Sequence, residues 1–211
     1  MDLKNIRINY EKSKIDFSNL EDNPIVFFLN WFEDALRINK YEANACVLST
    51  VSSQQKPSSR VVLLKDVSQK GFVFFTNYKS RKSLHIEDNK HVALNFYWPE
   101  LERQVRILGK AEKINANESD DYFNSRPRES QIGAWLSDQS SELDLNYDFQ
   151  CSLDELEDRF KGKKISRPLN WGGYCVVPNS IEFWQGRPSR LHDRVLYSLD
   201  RNIWCKTRLS P

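Results

Sequence analysis

The chain has 211 residues, 39% hydrophobic and 28% charged, with only 7 Gly and 8 Pro. That is enough to bury roughly 70% of its unfolded surface, and it excludes collagen-like, low-complexity and wholly disordered classes. Lys and Arg number 31 against 29 Asp and Glu, a formal charge of +2, so bulk electrostatic binding of a polyanion is excluded and any anion site must be local.

In chain order, residues 1–22 are polar, show no sustained period and carry Arg7 and Tyr10. They read as a mobile arm or substrate lid that orders only against another surface, ahead of a single domain over 23–211. The arm lacks the apolar stretch of a secretory signal, and the longest apolar runs, Val61 to Leu64 and Phe72 to Phe75, fall far short of the ~20 residues of a bilayer span. A cytoplasmic protein is expected. Asn23 and Pro24 start a helix whose apolar residues Ile25, Phe28, Leu29, Phe32 and Leu36 recur at three- and four-residue steps to about Ile38.

From Ala45 the pattern turns strand-like in the runs ACVLSTV, RVVLLKDV, GFVFFTN, HVALNFYW and QVRILGKAEKI. So many strands in so short a stretch predict an antiparallel barrel or sandwich. Helices follow over Glu118 to Ser125 and Glu129 to Leu136, then a polar stretch with Leu153, Leu156 and Phe160 at helical spacing. Strands over Gly173 to Val177, Ile181 to Gln185, Arg194 to Ser198 and Ile203 to Leu209 close the fold, which is mainly β with flanking helices.

Cys46, Cys151, Cys175 and Cys205 form no C-x-x-C pair, and His85, His91 and His192 do not sit at ligand spacing with them. Four reduced cysteines packed as small hydrophobes, and no metal, are expected. No glycine pattern fits a dinucleotide fingerprint or a P-loop.

Three segments carry candidate chemistry. The strand FVFFTN runs into Tyr78-Lys79-Ser80-Arg81-Lys82-Ser83 at a helix start, where backbone N–H groups, a hydroxyl and two cations suit a phosphate; a solvated basic helix start is the bland alternative. Tyr122, Ser125, Arg126, Arg128 and Ser130 cluster around Pro127 and suit a second phosphate, or simply cap two helices. Arg190, His192 and Arg194 alternate, which on an extended segment would put a cationic row on one face that needs an anionic partner. Arg60 and Lys65 bracket a core strand, for which charged ends are sufficient explanation.

The runs RVVLLK, FFTNYKSRK, ERQVRILGKAEK, YFNSRPRESQIGAW, QSS, WGGY, EFWQG and RLHDR, in this order, closely resemble the pyridoxamine 5′-phosphate oxidase family over nearly the whole chain. The resemblance implies a homodimeric FMN-binding split β-barrel that oxidises pyridoxamine and pyridoxine 5′-phosphates to pyridoxal 5′-phosphate with oxygen. Carried over by position, it assigns Arg60, Val61, Val62, Leu63, Lys65, Phe75, Thr76, Arg81, Lys82, Gln104, Gln139, Ser140, Trp184 and Arg194 to FMN, some reaching across from the second subunit. It assigns Lys65, Tyr122, Arg126 and Ser130 to the substrate phosphate, Arg190 and His192 to the substrate ring as catalytic groups, and Arg7 and Tyr10 to a segment closing over the substrate. Residues 141–170 follow the family loosely. A split-barrel flavin reductase and a non-catalytic pyridoxal phosphate carrier are the competing readings; the first should not hold the substrate set complete, and the second needs no flavin.

Overall fold

The computed structural model describes residues 2–5, 8–38 and 42–211. Arg7 lies outside the described residues.

Helix α1 (Pro24–Ile38) is started by Asn23, whose side-chain Oδ1 accepts from the Ile25 N–H at 2.8 Å, and by Pro24, which needs no donor partner in the first turn. Strands β1 (Ala45–Val51), β2 (Pro57–Leu63), β3 (Asp66–Ser68) and β4 (Gly71–Asn77) follow, then α2 (Arg81–Asp88), β5 (His91–Trp98) and β6 (Arg103–Lys113). Helices α3 (Ala116–Ser125), α4 (Arg128–Leu136) and α5 (Phe149–Phe160) form a flank, and β7 (Trp171–Gln185), β8 (Asp193–Asp200) and β9 (Ile203–Arg208) complete one antiparallel sheet. Asn115 caps α3 by accepting from the Glu118 N–H at 2.8 Å, and Asp148 caps α5 through the Gln150 N–H at 2.8 Å.

The sheet runs β2-β1-β5-β6-β7-β4-β3, with β8 and β9 branching from β7. The two strands expected over 173–177 and 181–185 are one 15-residue strand. Its first part pairs with β4 (Trp171 to Val176) and its last part with β8 (Ser180 to Gln185), while β6 pairs along it from Tyr174 to Gln185. The register slips between Leu108 and Gly109, opposite Pro178, because a proline offers no N–H to the ladder and the backbones there approach too closely for a Cβ on Gly109. That bulge bends the sheet into the curled half of a split barrel.

Helix α1 fills the concave side. Phe28, wholly buried, meets Phe72 and Phe96 edge-on at ring-centroid distances of 4.9 and 5.1 Å. Leu36, assigned to the apolar face from its spacing, is instead 37% exposed, and Trp31 and Ala35 are buried. A second cluster of Phe123, Ile132, Phe160, Ile165 and Trp171 joins α3, α4 and α5 to the start of β7. Among the described residues no helix is long and apolar enough to cross a membrane. Cys46 and Cys175 are buried, with burial pushing the Cys46 thiol up to about 12; Cys151 and Cys205 are exposed, so only two of the four pack as core residues.

The stretch expected to be an arm is, from Tyr10 onward, laid along the chain's own C-terminal strands. Ile15 is buried and its N–H donates to Asp193 Oδ2 at 3.2 Å, the Tyr197 hydroxyl donates to the Glu21 carbonyl at 2.8 Å, and Phe17 and Leu20 pack on the core.

Candidate active site

The cavity beside the sheet edge, of about 440 Å³, is lined by groups from two of the three segments that carried candidate chemistry, those around Lys82 and Arg126, and by the strand that Arg60 and Lys65 bracket. Val61, Val62, Leu63 and Lys65 come from the β2 edge and the residues after it. Phe75 and Thr76 come from β4 and Lys82 from α2, while Tyr122, Arg126 and Ser130 come from α3, α4 and the turn between them. Gln139 closes it from the loop after α4. Since β2 pairs only with β1 among the described residues, its outer N–H and C=O groups are free to meet a planar heterocycle.

At one end Lys82, 7% exposed, donates to Thr76 Oγ1 and Ser80 Oγ at 3.1 Å each and to Gln139 Oε1 at 2.9 Å. All three partners are neutral. Burial, and then the Arg60 guanidinium, pull its ammonium down to about 8. Arg60 is itself lowered by burial and by Arg81. None of the ion pairs among the described residues involves Lys82, Arg60, Arg81 or Arg126. Mutually repelling, half-desolvated cations without a carboxylate fit a bound phosphate, which suits FMN at this end. Arg60 gives much of its guanidinium to the protein, donating to the Leu48 and Ser58 carbonyls and to Thr50 Oγ1, so it braces the cradle.

At the other end the Phe75, Tyr122 and Trp171 rings stack, the first two at 3.9 Å and 20° between planes. The Arg126 guanidinium lies 4.6 Å from the Trp171 ring, and its Nη1 is buried without a hydrogen-bond partner. Burial lowers Arg126 and raises the Tyr122 phenol. An unpartnered guanidinium N–H in a cavity that Lys65 and Ser130 also line suits a second anion.

The remaining expected residues gather elsewhere. Gln104, Trp184 and Arg194 are lateral partners across β6, β7 and β8 and share one face. Arg194 Nε donates to Glu182 Oε1 at 2.8 Å, so it already has its anion. Trp184 lies 4.7 Å from the His192 ring, and Tyr10 meets both edge-on at 5.6 and 5.8 Å. Burial, then a hydrogen bond with Tyr10, raises the Tyr97 phenol. Gly186 is needed here, since a Cβ would press into the Tyr10 ring at 2.6 Å.

The extended row expected of Arg190, His192 and Arg194 is not formed. Residues Pro188–Arg190 make a 3-10 turn, with Ser189 and Arg190 both left-handed at φ 56° and 61°, and the strand begins only at Asp193. The Arg187 N–H donates to His192 Nδ1 at 3.1 Å and closes the loop, pointing Arg190 outward. Burial first, and then Arg190 and Arg194, lower the His192 pKa. Arg81, Gln104 and Ser140 do not line the cavity, Ser140 being exposed with φ 75°. Asn77, Gly133, Ala134, Ser137 and Trp171 line it without having been singled out; all but Ser137 fall within the quoted runs FFTNYKSRK, YFNSRPRESQIGAW and WGGY.

Trp171 and Trp184 stand near opposite ends of one strand, thirteen residues or about 40 Å of strand path apart at a normal rise. Trp184 does not line the cavity that Trp171 helps to form.

Curled antiparallel sheet, edge-strand cavity and paired anion seats define a split-barrel protein of the flavin-oxidase class. Residues 32–149 match the family model described as pyridoxamine 5′-phosphate oxidase, and residues 171–211 match that of the pyridoxine 5′-phosphate oxidase C-terminal dimerisation region. The pyridoxine/pyridoxamine 5′-phosphate oxidase of Rubrobacter xylanophilus is 50% identical, over 100% of this chain and 97% of that protein, and that of Haemophilus influenzae is 50% identical over 100% of both. PhzG from Burkholderia lata, solved with tetrahydrophenazine-1-carboxylic acid, has TM-score 0.88 and 28% identity, covering 95% of this chain and 100% of its own. An FMN-binding protein from Nostoc punctiforme shares the fold at TM-score 0.71 and 14% identity, covering 86% of this chain and 96% of its own. The chain belongs to the pyridoxamine 5′-phosphate oxidase family of oxidoreductases.

Proposed function

We propose that the chain is an FMN-dependent oxidase that converts pyridoxamine 5′-phosphate and pyridoxine 5′-phosphate to pyridoxal 5′-phosphate, as a homodimer whose site is shared between two copies. The observation that carries this reading is one cavity holding two cationic ends, Lys82 and Arg126, neither with an anionic partner among the described residues. Family membership and the dimerisation region support it. A cytoplasmic setting fits the free cysteines.

Bound FMN supplies the two-electron acceptor that takes a hydride from the substrate carbon and passes the electrons to oxygen, giving hydrogen peroxide. Lys82, with Arg81, holds the flavin phosphate, and Thr76 and Gln139 fix the ammonium that does so. The Val61 to Leu63 edge meets the ring system with its backbone. Lys65, Tyr122, Arg126 and Ser130 hold the substrate phosphate and so set the distance of the reacting carbon.

The second copy contributes Gln104, Trp184, Arg194, Arg190 and His192. Because His192 Nδ1 accepts from the Arg187 N–H, the neutral ring keeps its proton on Nε2 and faces the substrate as a donor. Arg190, on its outward turn, holds the substrate ring against the flavin. Tyr10 covers the site; Arg7, which the family resemblance pairs with it, lies outside the described residues. The alcohol loses a hydride and a proton to give the aldehyde; the amine gives an imine, which water hydrolyses to aldehyde and ammonia.

The test is to add pyridoxine 5′-phosphate to the purified flavoprotein in air. Aldehyde and peroxide should appear in equal amounts, and unphosphorylated pyridoxine should be a very poor substrate. A protein that purifies without flavin, or whose flavin the phosphate ester fails to bleach anaerobically, would contradict the reading.

A further inference from the structure

Arg187 has no role in the activity as derived so far, yet it touches both the N-terminal segment and the His192 loop. Its backbone N–H holds His192 Nδ1 at 3.1 Å, while its side chain turns the other way and donates from Nη1 to the Ser13 carbonyl at 3.0 Å. Its Nε stands 3.4 Å from Asp193 Oδ2, the oxygen that also accepts the Ile15 N–H. Asp193 is 9% exposed, and Arg208 approaches its other oxygen at 3.7 Å. Ser13 and Ile15 are thus pinned by an ion pair whose two members flank the His192 loop.

Upstream, the Lys12 N–H donates to Glu102 Oε2 at 3.0 Å and its Nζ to the Glu100 carbonyl at 2.6 Å. Between these anchors and the chain end sits Tyr10, edge-on to Trp184 and His192.

We propose that Arg187, clamped by Asp193, is a positioning residue that joins the N-terminal segment to the His192 loop, so that Tyr10 is seated over the substrate only while this clamp is closed. The inference rests on the function proposed above. Arg187 does not contact substrate: it acts through Ser13 on Tyr10 and through its own backbone on His192. Its side chain is 33% exposed at the sheet's rim, so its removal need not disturb the core. Because an alanine keeps the backbone N–H, Arg187→Ala separates the two connections, freeing the segment while leaving the His192 hydrogen bond in place.

The experiment pairs hydrogen exchange on the flavin-loaded protein with steady-state oxidation of pyridoxamine 5′-phosphate. Arg187→Ala should exchange the amides of residues 10–15 faster and raise KM on the order of tenfold, with a smaller fall in kcat and unchanged flavin content. Arg187→Lys, which can still reach a carbonyl and a carboxylate, should recover most of both effects. Tyr10→Ala should raise KM similarly, and adding Arg187→Ala to it should add little, since both act through one seat. Wild-type exchange in Arg187→Ala, wild-type KM, or fully additive effects with Tyr10→Ala would each overturn the proposal. Exchange needs no substrate, so an inactive wild-type protein would defeat the proposed function while leaving the clamp to be read from exchange alone.

Discussion

Lys82 is where burial and function pull against each other. Its ammonium is depressed to about 8, so above that pH the folded, ligand-free protein releases a proton that the unfolded chain still holds. Stability from this group is therefore lowest below about pH 8 and rises toward the ordinary lysine range. A phosphate needs the charged form, so flavin affinity should fall as pH passes about 8. Flavin titrations of the apoprotein at pH 7 and 9 should show that fall, and Lys82→Met should bind weakly with a flat profile. At the other end of the cavity, Arg126 Nη1 has no partner among the described residues and is free to meet a ligand. A charge-assisted hydrogen bond of about 1.5–3 kcal/mol predicts that Arg126→Ala raises KM by about 10- to 100-fold while kcat falls less. Burial, Arg190 and Arg194 push His192 down, so it is neutral at pH 7 and any acid limb in flavin reduction lies below the usual histidine range. Arg190→Ala removes one repelling cation, so in anaerobic stopped-flow that limb should move to higher pH while reduction slows; an unmoved limb would detach His192 from it.

Helix α1 and the sheet were legible because their periods are plain: Phe28 at three- and four-residue steps, and alternation along β1 and β5 with every second residue buried. Phe28→Ala should cost about 3–5 kcal/mol in urea unfolding while KM stays unchanged, because its ring contacts are with Phe32, Phe72, Phe96 and Trp98, none of which lines the cavity. Other elements could not be read locally. The turn at Pro188–Arg190 looked extended because RLHDR alternates; the bonds from the Arg187 N–H to His192 and from the Leu191 N–H to the Pro188 carbonyl, both 3.1 Å, hold its two consecutive left-handed residues. β7 looked like two strands because Pro178 interrupts its pattern, and β6 bridges that gap by a bulge. The docking of residues 10–22 depends on partners more than 80 positions away, Glu102, Asp193 and Tyr197, which no window of sequence displays. For the site, the residue types at Lys82, Tyr122, Arg126 and Ser130 were legible as phosphate seats, but that one cavity joins them was not.

At the scale of the molecule, the proposed site is split. Lys82 and Arg126 line a cavity by the start of β7, while Trp184 and His192 stand near its far end, about 40 Å along one strand. Pairing two copies antiparallel in function, each lending its far end to the other's cavity, is what a symmetric dimer supplies. The most direct measurement co-expresses Arg126→Ala and Arg190→Ala subunits and assays the mixture at low substrate. If the site is shared, each hybrid dimer carries one site with both changes and one with neither, and random pairing should restore about a quarter of wild-type activity. Activity no higher than the mean of the two parent variants would contradict a site built from two chains.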